Sequence, residues 1–163
     1  MTPSALLAYF DELGLQTTTV DHEPVFTVEE ARWLRGELPG THTKSLFLRN
    51  KKGGMWLVTT AADLEIDLKH LGDSLGAGRL GFASPERLMT HLGVIPGAVT
   101  PFAVVNDAAG DVAVALDRAM LENEPLHFHP LDNARTTAIS TADLLTFLAA
   151  TGHAPRILAP EAF

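Results

Sequence analysis

Lys44 is the first residue of this sequence whose type and position suggest chemistry, since it opens the predicted strand KSLFL and lies on the side of its leucines. Side chains of a strand point alternately to its two faces, so Lys44 shares a face with Leu46 and Leu48, while Ser45 lies on the other. Two interpretations fit a lysine on an apolar face. Its ammonium group reaches water at the rim of the sheet, or it is held at the rim of a pocket as a cation that binds a phosphate or carbonyl.

A second candidate is the segment GVIPGAVTPF, which contains two Gly/Pro pairs. Gly97 and Pro101 bracket Ala98, Val99 and Thr100. One interpretation is a plain turn before a strand. The alternative is a rigid loop whose backbone N–H groups face a ligand oxygen, as an oxyanion hole requires.

A third candidate is HFHPLDN, where His127 and His129 are spaced to share one strand face. Such a pair can ligate a metal, but there is no third clear ligand and no HExxH pattern, so we expect neither a metal nor a cofactor. A histidine that contacts substrate, or an ordinary core or surface histidine, fits this position as well. Serine-hydrolase, NTPase and Rossmann fingerprints do not occur, and a chain without cysteine excludes thiolate chemistry.

Composition limits the function classes further. With 163 residues, 46% of them apolar, we expect one domain spanning residues 1–163. A net charge of −8 argues against a general nucleic-acid binder, and we expect no DNA partner. The N-terminal segment has no basic leader and no apolar run approaches the ~20 residues of a membrane span, so we expect a cytoplasmic protein without a membrane partner.

Helices and paired strands must position these candidates. Five helices are predicted. The first covers Ser4 to Leu13, and the second runs from the capping box of Thr27 and Glu30 to near Gly36. The others are LKHLGDSLG after Asp67, the segment from Ser84 to Gly93, and TADLLTFLAATG. Strands are predicted for LQTTTVDHE, for a hairpin of KSLFLRN and MWLVTT across KKGG, for a second hairpin of PFAVVND and DVAVALDR, and for HFHP and TTAIS. This order indicates an α+β domain with one mixed, mostly antiparallel sheet flanked by helices.

Five segments, taken in order, resemble the prolyl-tRNA editing family, the YbaK/ProX-type trans-editing deacylases related to the editing domain of bacterial prolyl-tRNA synthetases. They are DHEPVFTVEEA, LPGTHTKSLFLRNKKGGMWLV, FASPERLMTHLGVIPGAVTPFAVVND, LHFHPLDNARTTAIS and ADLLTFLAATGH. The free-standing alanyl-tRNA(Pro) deacylases are the most similar branch. The resemblance implies a partly closed sheet, a functional lysine at Lys44, a substrate loop from Gly97 to Pro101 and a functional histidine at His129.

The implied activity is metal-independent hydrolysis of the ester of mischarged tRNA(Pro), most simply alanyl-tRNA(Pro). A site that admits alanine and excludes proline completes a double sieve, and its expected walls and substrate contacts are Val25, Phe26, Ser45, Leu46, Ala98, Val99, Thr100 and Pro101. Water or a ribose hydroxyl attacks the ester, the loop N–H groups stabilise the oxyanion, Lys44 holds a phosphate or polarises the carbonyl, and His129 orients the ribose or the amino group. Many members have Asn where this chain has Ser45, which keeps removal of Cys, Ser or Thr from tRNA(Pro) as an alternative. A non-catalytic module that binds tRNA ends or a free amino-acid derivative is the alternative from another class.

The expected partner is the acceptor end of mischarged tRNA(Pro), assisted by prolyl-tRNA synthetase or elongation factor. An acidic chain can bind this end if a few basic residues form a local positive mouth. The candidates for that mouth are Lys44, Arg49, Lys51, Lys52, Arg79 and Arg135.

Overall fold

The computed structural model describes residues 1–24 and 39–163, and an eight-stranded mixed sheet forms its centre. The strand order is β1-β7-β6-β2-β3-β5-β8, with β4 paired to β2 off this path. Four pairings are antiparallel and three are parallel. The strands are β1 Thr17–Asp21, β2 Thr41–Arg49, β3 Met55–Ala61, β4 Gly81–Phe82, β5 Val112–Asp117, β6 Leu126–Phe128, β7 Arg135–Ile139 and β8 Arg156–Leu158.

Four α-helices, each begun by a side-chain cap, flank the sheet within residues 1–24 and 39–163. They are α1 Pro3–Glu12, α2 Leu68–Leu75, α3 Pro85–Leu92 and α4 Thr141–Ala150, and short 3-10 helices cover Pro101–Asn106, Met120–Glu122 and Pro160–Ala162. The oxygens of Thr2, Asp67, Ser84 and Ser140 accept backbone N–H groups of the first turns. No helix in the described part of the chain has the length and apolar character needed to cross a lipid bilayer.

Strand β2 is the centre of the sheet, and one of its edges is only partly paired. Along one edge β3 pairs with it from Thr43 to Arg49. The other edge is divided, because β6 pairs with Thr41 and His42 and β4 with Leu48 and Arg49. Within residues 1–24 and 39–163, no strand pairs with residues 44–46 along this second edge, which we call the open edge.

Two hydrophobic clusters hold β2 in place from its two faces. Phe47 belongs to the larger cluster, in which Phe10, Phe102 and Phe147 make edge-on ring contacts. The next residue, Leu48, belongs to a smaller cluster under α2. The consecutive apolar residues Leu46, Phe47 and Leu48 are therefore typical of a strand that is buried on both faces.

The fold class and most of the helices agree with the sequence-based prediction. The structure confirms the β2–β3 hairpin, α2 after Asp67, and α3 between Ser84 and Gly93. The predicted helix between Thr27 and Gly36 lies outside the described residues. Strands β4 and β8 were not predicted, because two or three residues carry too little periodicity to be recognised.

The second predicted hairpin is wrong. PFAVVN forms a 3-10 helix over Pro101–Asn106, and β5 instead pairs in parallel with β3 and β8. The Thr100 side chain caps this helix by accepting the N–H of Phe102, and proline is well suited to the first helical position. Phe102, Ala103 and Val104 are all buried, so their apolar run reflects a buried turn and not one face of a strand.

Asp107 joins the end of this 3-10 helix to β5 and to the segment after α4. Its carboxylate accepts hydrogen bonds from the N–H groups of Val112 at 2.9 Å and Asp111 at 3.1 Å, and lies 2.8 Å from His153 Nε2. Both side chains of the Asp107–His153 pair are almost fully buried. Burial alone would raise the pKa of Asp107, but the hydrogen bonds and the histidine outweigh it and hold the pKa below its ordinary value.

We predict that Asp107→Asn destabilises the protein by about 1–3 kcal/mol at pH 7, because it weakens a buried hydrogen-bond network. A carboxyl group with a lowered folded pKa contributes stability above its unfolded value of 3.8 and loses it as the pH falls through the folded value. Urea unfolding at pH 7 and between pH 5 and 3 tests this, and the variant should lose less stability on acidification than the wild type. The exposed Asp111→Asn is the matched control, and equal midpoints for Asp107→Asn and wild type would contradict the account.

Candidate functional site

Lys44 lies at the open edge, on the face of β2 that carries Leu46 and Leu48. The side chain is half-buried, and its ammonium group donates a hydrogen bond to the backbone carbonyl of Leu64 in the loop after β3. An ammonium group has three donors, so this contact fixes its position and leaves donors for a ligand. Lys44 is therefore held beside the sheet rather than extended freely into water.

Ser45 occupies the opposite face of the same open edge. Its hydroxyl lies 2.8 Å from the hydroxyl of Thr59, its partner across the β2–β3 ladder, and Thr59 is fully buried. Ser45 shares this face with Phe47, and hence with the larger cluster. The structure thus places the two adjacent residues on different sides of the sheet, with only the open edge common to both.

The segment from Gly97 to Pro101 packs on the larger cluster through Ala98. Gly97 has φ +92°, a left-handed conformation that favours glycine. The N–H of Ala98 donates to the carbonyl of Ile95 at 3.0 Å and is therefore not available as an oxyanion donor. Among the described residues, no acceptor bonds the N–H groups of Gly97, Val99 and Thr100, and these remain the candidate donors.

His129 is a neutral imidazole with a defined tautomer. Its Nδ1 donates to the carbonyl of Arg135 at 3.0 Å, which leaves Nε2 as an acceptor. Burial lowers the pKa of His129 below its ordinary value, and the nearby charge of His22 lowers it further, whereas the Arg135 carbonyl and Asp132 oppose the shift. His129 is therefore suited to accept a hydrogen bond at neutral pH.

His22 is a neighbour of His129 that the sequence reasoning did not single out. Its ring centroid lies 6.3 Å from that of His129, its Nδ1 donates to the carbonyl of Glu23, and its Nε2 lies 2.8 Å from the Thr136 hydroxyl. Antiparallel pairing of β1 with β7 brings the two histidines together. The only signal in the sequence was the presence of DHEP in a segment that resembled the family.

His127 does not join His129 in a common site. Strand β6 ends at Phe128, and the buried ring of His127 stacks on His42 with centroids 4.6 Å apart. Its Nε2 donates to the carbonyl of Pro39, while Nδ1 is buried without a partner among the described residues. The described residues contain no cluster of three or more side chains arranged to hold a metal ion.

The expected pocket walls lie on both sides of the sheet. Leu46 packs against the smaller cluster, whereas Ala98 and Val99 belong to or pack against the larger one. Thr100 and Pro101 are buried behind the loop and begin the 3-10 helix. Val25 and Phe26 lie outside the described residues. The structure therefore places Leu46 in a different cluster from Ala98 and Val99.

A basic groove lies beyond the Arg49 end of β2, and we define it by Arg49, Lys51, Lys52 and Arg79. Two adjacent cavities of about 370 and 230 Å³ form it, and both are lined by Asn50, Lys51 and Arg79. The other predicted mouth residue, Arg135, is engaged elsewhere, since its Nε lies 3.4 Å from Asp21 and 3.7 Å from Asp132.

This chain is similar to proteins that act in tRNA editing. Residues 22–147 match the family model of the aminoacyl-tRNA editing domain. Prolyl-tRNA synthetase associated domain-containing protein 1 of Bos taurus is 44% identical over 151 residues, covering 90% of this chain and 88% of that protein. The prolyl-tRNA editing protein ProX of Acetoanaerobium sticklandii is 39% identical over 150 residues, covering 91% and 92%. The multifunctional Ser/Thr-tRNA deacylase ProXp-y of Escherichia coli is 31% identical over 105 residues, covering 63% of each chain.

A solved structure supports the fold. The crystal structure of a putative trans-editing enzyme for prolyl tRNA synthetase superposes with a TM-score of 0.74 at 20% identity, covering 98% of this chain and 96% of that one. The chain therefore belongs to the aminoacyl-tRNA editing domain family, among the ProX-type prolyl-tRNA editing proteins, as the sequence resemblance implied. This is a family of hydrolases that act on mischarged tRNA.

We predict that His129 titrates below its ordinary pKa of 6.5. His22→Ala should raise the pKa of His129, because a neighbouring positive charge is removed, whereas Asp132→Asn should lower it further. An NMR titration of the imidazole Cε1–H signals, assigned with His129→Asn, gives the three midpoints. A wild-type midpoint at or above 6.5, or shifts of the same sign in both variants, would show that the surroundings of this histidine are described incorrectly.

Proposed function

We propose that this protein removes alanine from mischarged tRNA(Pro) by hydrolysing the ester bond to the terminal adenosine. The observation that carries the proposal is the open edge of β2, where the Leu64 carbonyl fixes the Lys44 ammonium group on one face of the sheet. In the proposal, the Gly97–Pro101 loop, which packs on the larger cluster through Ala98, serves the same ligand from the other face. An extended 3′ end that enters there contacts both faces. The relatives that share the family support an editing reaction.

The chemistry needs little activation, because an aminoacyl ester is already reactive. Water, oriented by the free hydroxyl of the terminal ribose, attacks the carbonyl carbon and gives up a proton, and the carbonyl oxygen becomes an oxyanion. The N–H groups of Gly97, Val99 and Thr100 stabilise that charge. The C–O bond to the ribose then breaks, the ribose oxygen takes a proton, and alanine and the tRNA leave.

Lys44 and His129 position the substrate in this scheme. The ammonium group of Lys44 binds the terminal phosphate or polarises the ester carbonyl, and either role uses a donor that the Leu64 carbonyl does not occupy. His129 Nε2 accepts a hydrogen bond from the ribose or from the amino group of the aminoacyl moiety. No step in this scheme requires a metal ion or a cofactor.

Selectivity for alanine follows from size. A synthetase pocket built for proline rejects a smaller amino acid only weakly, because a few missing methylenes change the binding energy little. A second site lined by Ala98 and Val99 excludes the proline ring by steric conflict and admits alanine.

A second candidate is removal of a small polar amino acid from tRNA(Pro). The Ser45 hydroxyl, which lies 2.8 Å from that of the buried Thr59, is half-buried and can exchange a hydrogen bond with a serine, threonine or cysteine side chain. The E. coli relative is itself named a Ser/Thr-tRNA deacylase. A binding module without turnover remains the alternative from another class.

We expect selective loss of alanine when tRNA(Pro) charged with alanine, cysteine, serine, threonine or proline is incubated with the protein. Prolyl-tRNA(Pro) should survive, and a chelator should leave the rate unchanged. Faster loss of serine, threonine or cysteine would favour the second candidate function over removal of alanine. Binding without turnover of any ester would show that this protein is not a deacylase.

Lys44→Ala should lower kcat/KM for alanyl-tRNA(Pro) by about 10²–10³-fold, the usual cost of losing a charge-stabilising donor. A loss mainly in KM assigns Lys44 to the phosphate, and a loss mainly in kcat assigns it to the carbonyl. Lys69→Ala, which removes an exposed lysine of α2, is the matched control. The proposed site is wrong if Lys44→Ala retains the wild-type rate.

A further inference from the structure

Phe82, in the short strand β4, is an aromatic residue whose side chain is exposed to solvent. It lies in β4 and is 63% exposed, the largest fraction among the large apolar residues that the structure describes. Burying a phenylalanine side chain stabilises a protein by about 1.5–3 kcal/mol, so an exposed ring forgoes that stabilisation. A ligand that stacks on the ring would recover it.

The register of the sheet places Phe82 relative to the open edge. Phe82 is paired with Leu48 across the β2–β4 ladder, so its ring projects to the face of the sheet that also carries Lys44. Four residues separate Leu48 from Lys44 along the strand. At a rise of about 3.3 Å per residue, the backbone position of Phe82 lies about 13 Å along β2 from that of Lys44.

The basic groove begins at Gly81, one residue before Phe82. Gly81, the residue before Phe82, lines the smaller cavity together with Arg49, Lys51 and Arg79. All four basic residues of the groove are exposed, and none forms an ion pair with a described acidic residue. In a chain of net charge −8, such a concentration of cations favours a polyanionic partner.

We infer that Phe82 is a stacking platform for an unpaired base of an RNA strand whose 3′ end is held at Lys44. Single-stranded nucleic acids are bound by aromatic rings that stack on bases, next to cations that follow the phosphates. Stacked nucleotides rise about 3.4 Å each, so about four of them span the distance from Lys44 to Phe82. The strand then continues into the basic groove. This inference rests on the proposed function and adds a base contact to it.

The test is binding of an uncharged RNA hairpin that carries the tRNA(Pro) acceptor stem and its unpaired 3′ end, measured by fluorescence anisotropy over a range of salt. Phe82→Ala should weaken binding about 5- to 100-fold, and Phe82→Trp should restore it. The slope of log Kd against log salt should not change, because no phosphate contact is lost. Arg79→Ala should instead reduce that slope by about one.

Controls separate stacking from a structural effect. Ile157→Ala removes another exposed apolar side chain, on β8 at the far edge of the sheet, and should bind like the wild type. A blunt hairpin without the unpaired end should bind the wild type and Phe82→Ala equally. 2-Aminopurine placed at the first unpaired position should be quenched by the wild type and less by Phe82→Ala.

Several results would overturn the inference. They are wild-type affinity of Phe82→Ala, a loss that Phe82→Trp does not restore, an equal loss with the blunt hairpin, or no RNA binding by the wild type. If the wild type dimerises with increasing concentration and Phe82→Ala does not, the ring binds a second copy of this chain rather than RNA. Because the RNA is uncharged, the inference can fail while alanyl-tRNA(Pro) is still hydrolysed, and hydrolysis can be absent while stacking is still observed.

Discussion

The divided edge of β2 is the constraint on which the rest of the site depends. Backbone N–H and C=O groups normally find partners, and a central strand is usually paired along both edges. Here β6 and β4 occupy the two ends of one edge and leave residues 44–46 between them without a strand partner in the described part of the chain. The sheet is therefore open where Lys44 and Ser45 are adjacent in sequence but lie on different faces.

Packing on both faces keeps this opening rigid. Phe47 is anchored in the larger cluster and Leu48 in the smaller one, so the strand can neither rotate nor slip by one residue without exposing both. The Thr43 hydroxyl donates to the carbonyl of His127 where the β6 pairing ends, and the N–H of Ala83 donates to the carbonyl of Phe47 next to β4. These bonds fix the limits of the opening, with the Lys44 cation inside it and the exposed ring of Phe82 just beyond its β4 end.

Local signals in the sequence predicted local structure well. The glycines of KKGG and the caps at Asp67 and Ser84 act within a few residues, and the elements they predict are present. Long-range pairing was not accessible in the same way. Nothing near His22 indicates that β1 pairs with β7, and this pairing is what brings His22 to His129.

For the candidate site too, local relations between residues were predictable from the sequence and long-range ones were not. Alternation correctly placed Lys44 and Ser45 on opposite faces of a strand, but could not show that the Leu64 carbonyl holds the lysine. The spacing of His127 and His129 indicated one shared face, whereas the strand ends between them. The open edge arises from the positions of β4 and β6, which are distant in sequence, so no pattern within KSLFL could reveal it.

A structure of the protein with a non-hydrolysable, amide-linked 3′-alanylamino adenosine 5′-phosphate tests the central claim most directly. We expect the analogue to lie at residues 44–46 of β2, with the Lys44 ammonium group on its phosphate or on its carbonyl. We also expect N–H groups of Gly97, Val99 or Thr100 to lie within hydrogen-bond distance of the acyl oxygen. An analogue bound on one face only, with Lys44 or the loop out of reach, would contradict a substrate site that joins both faces through the open edge.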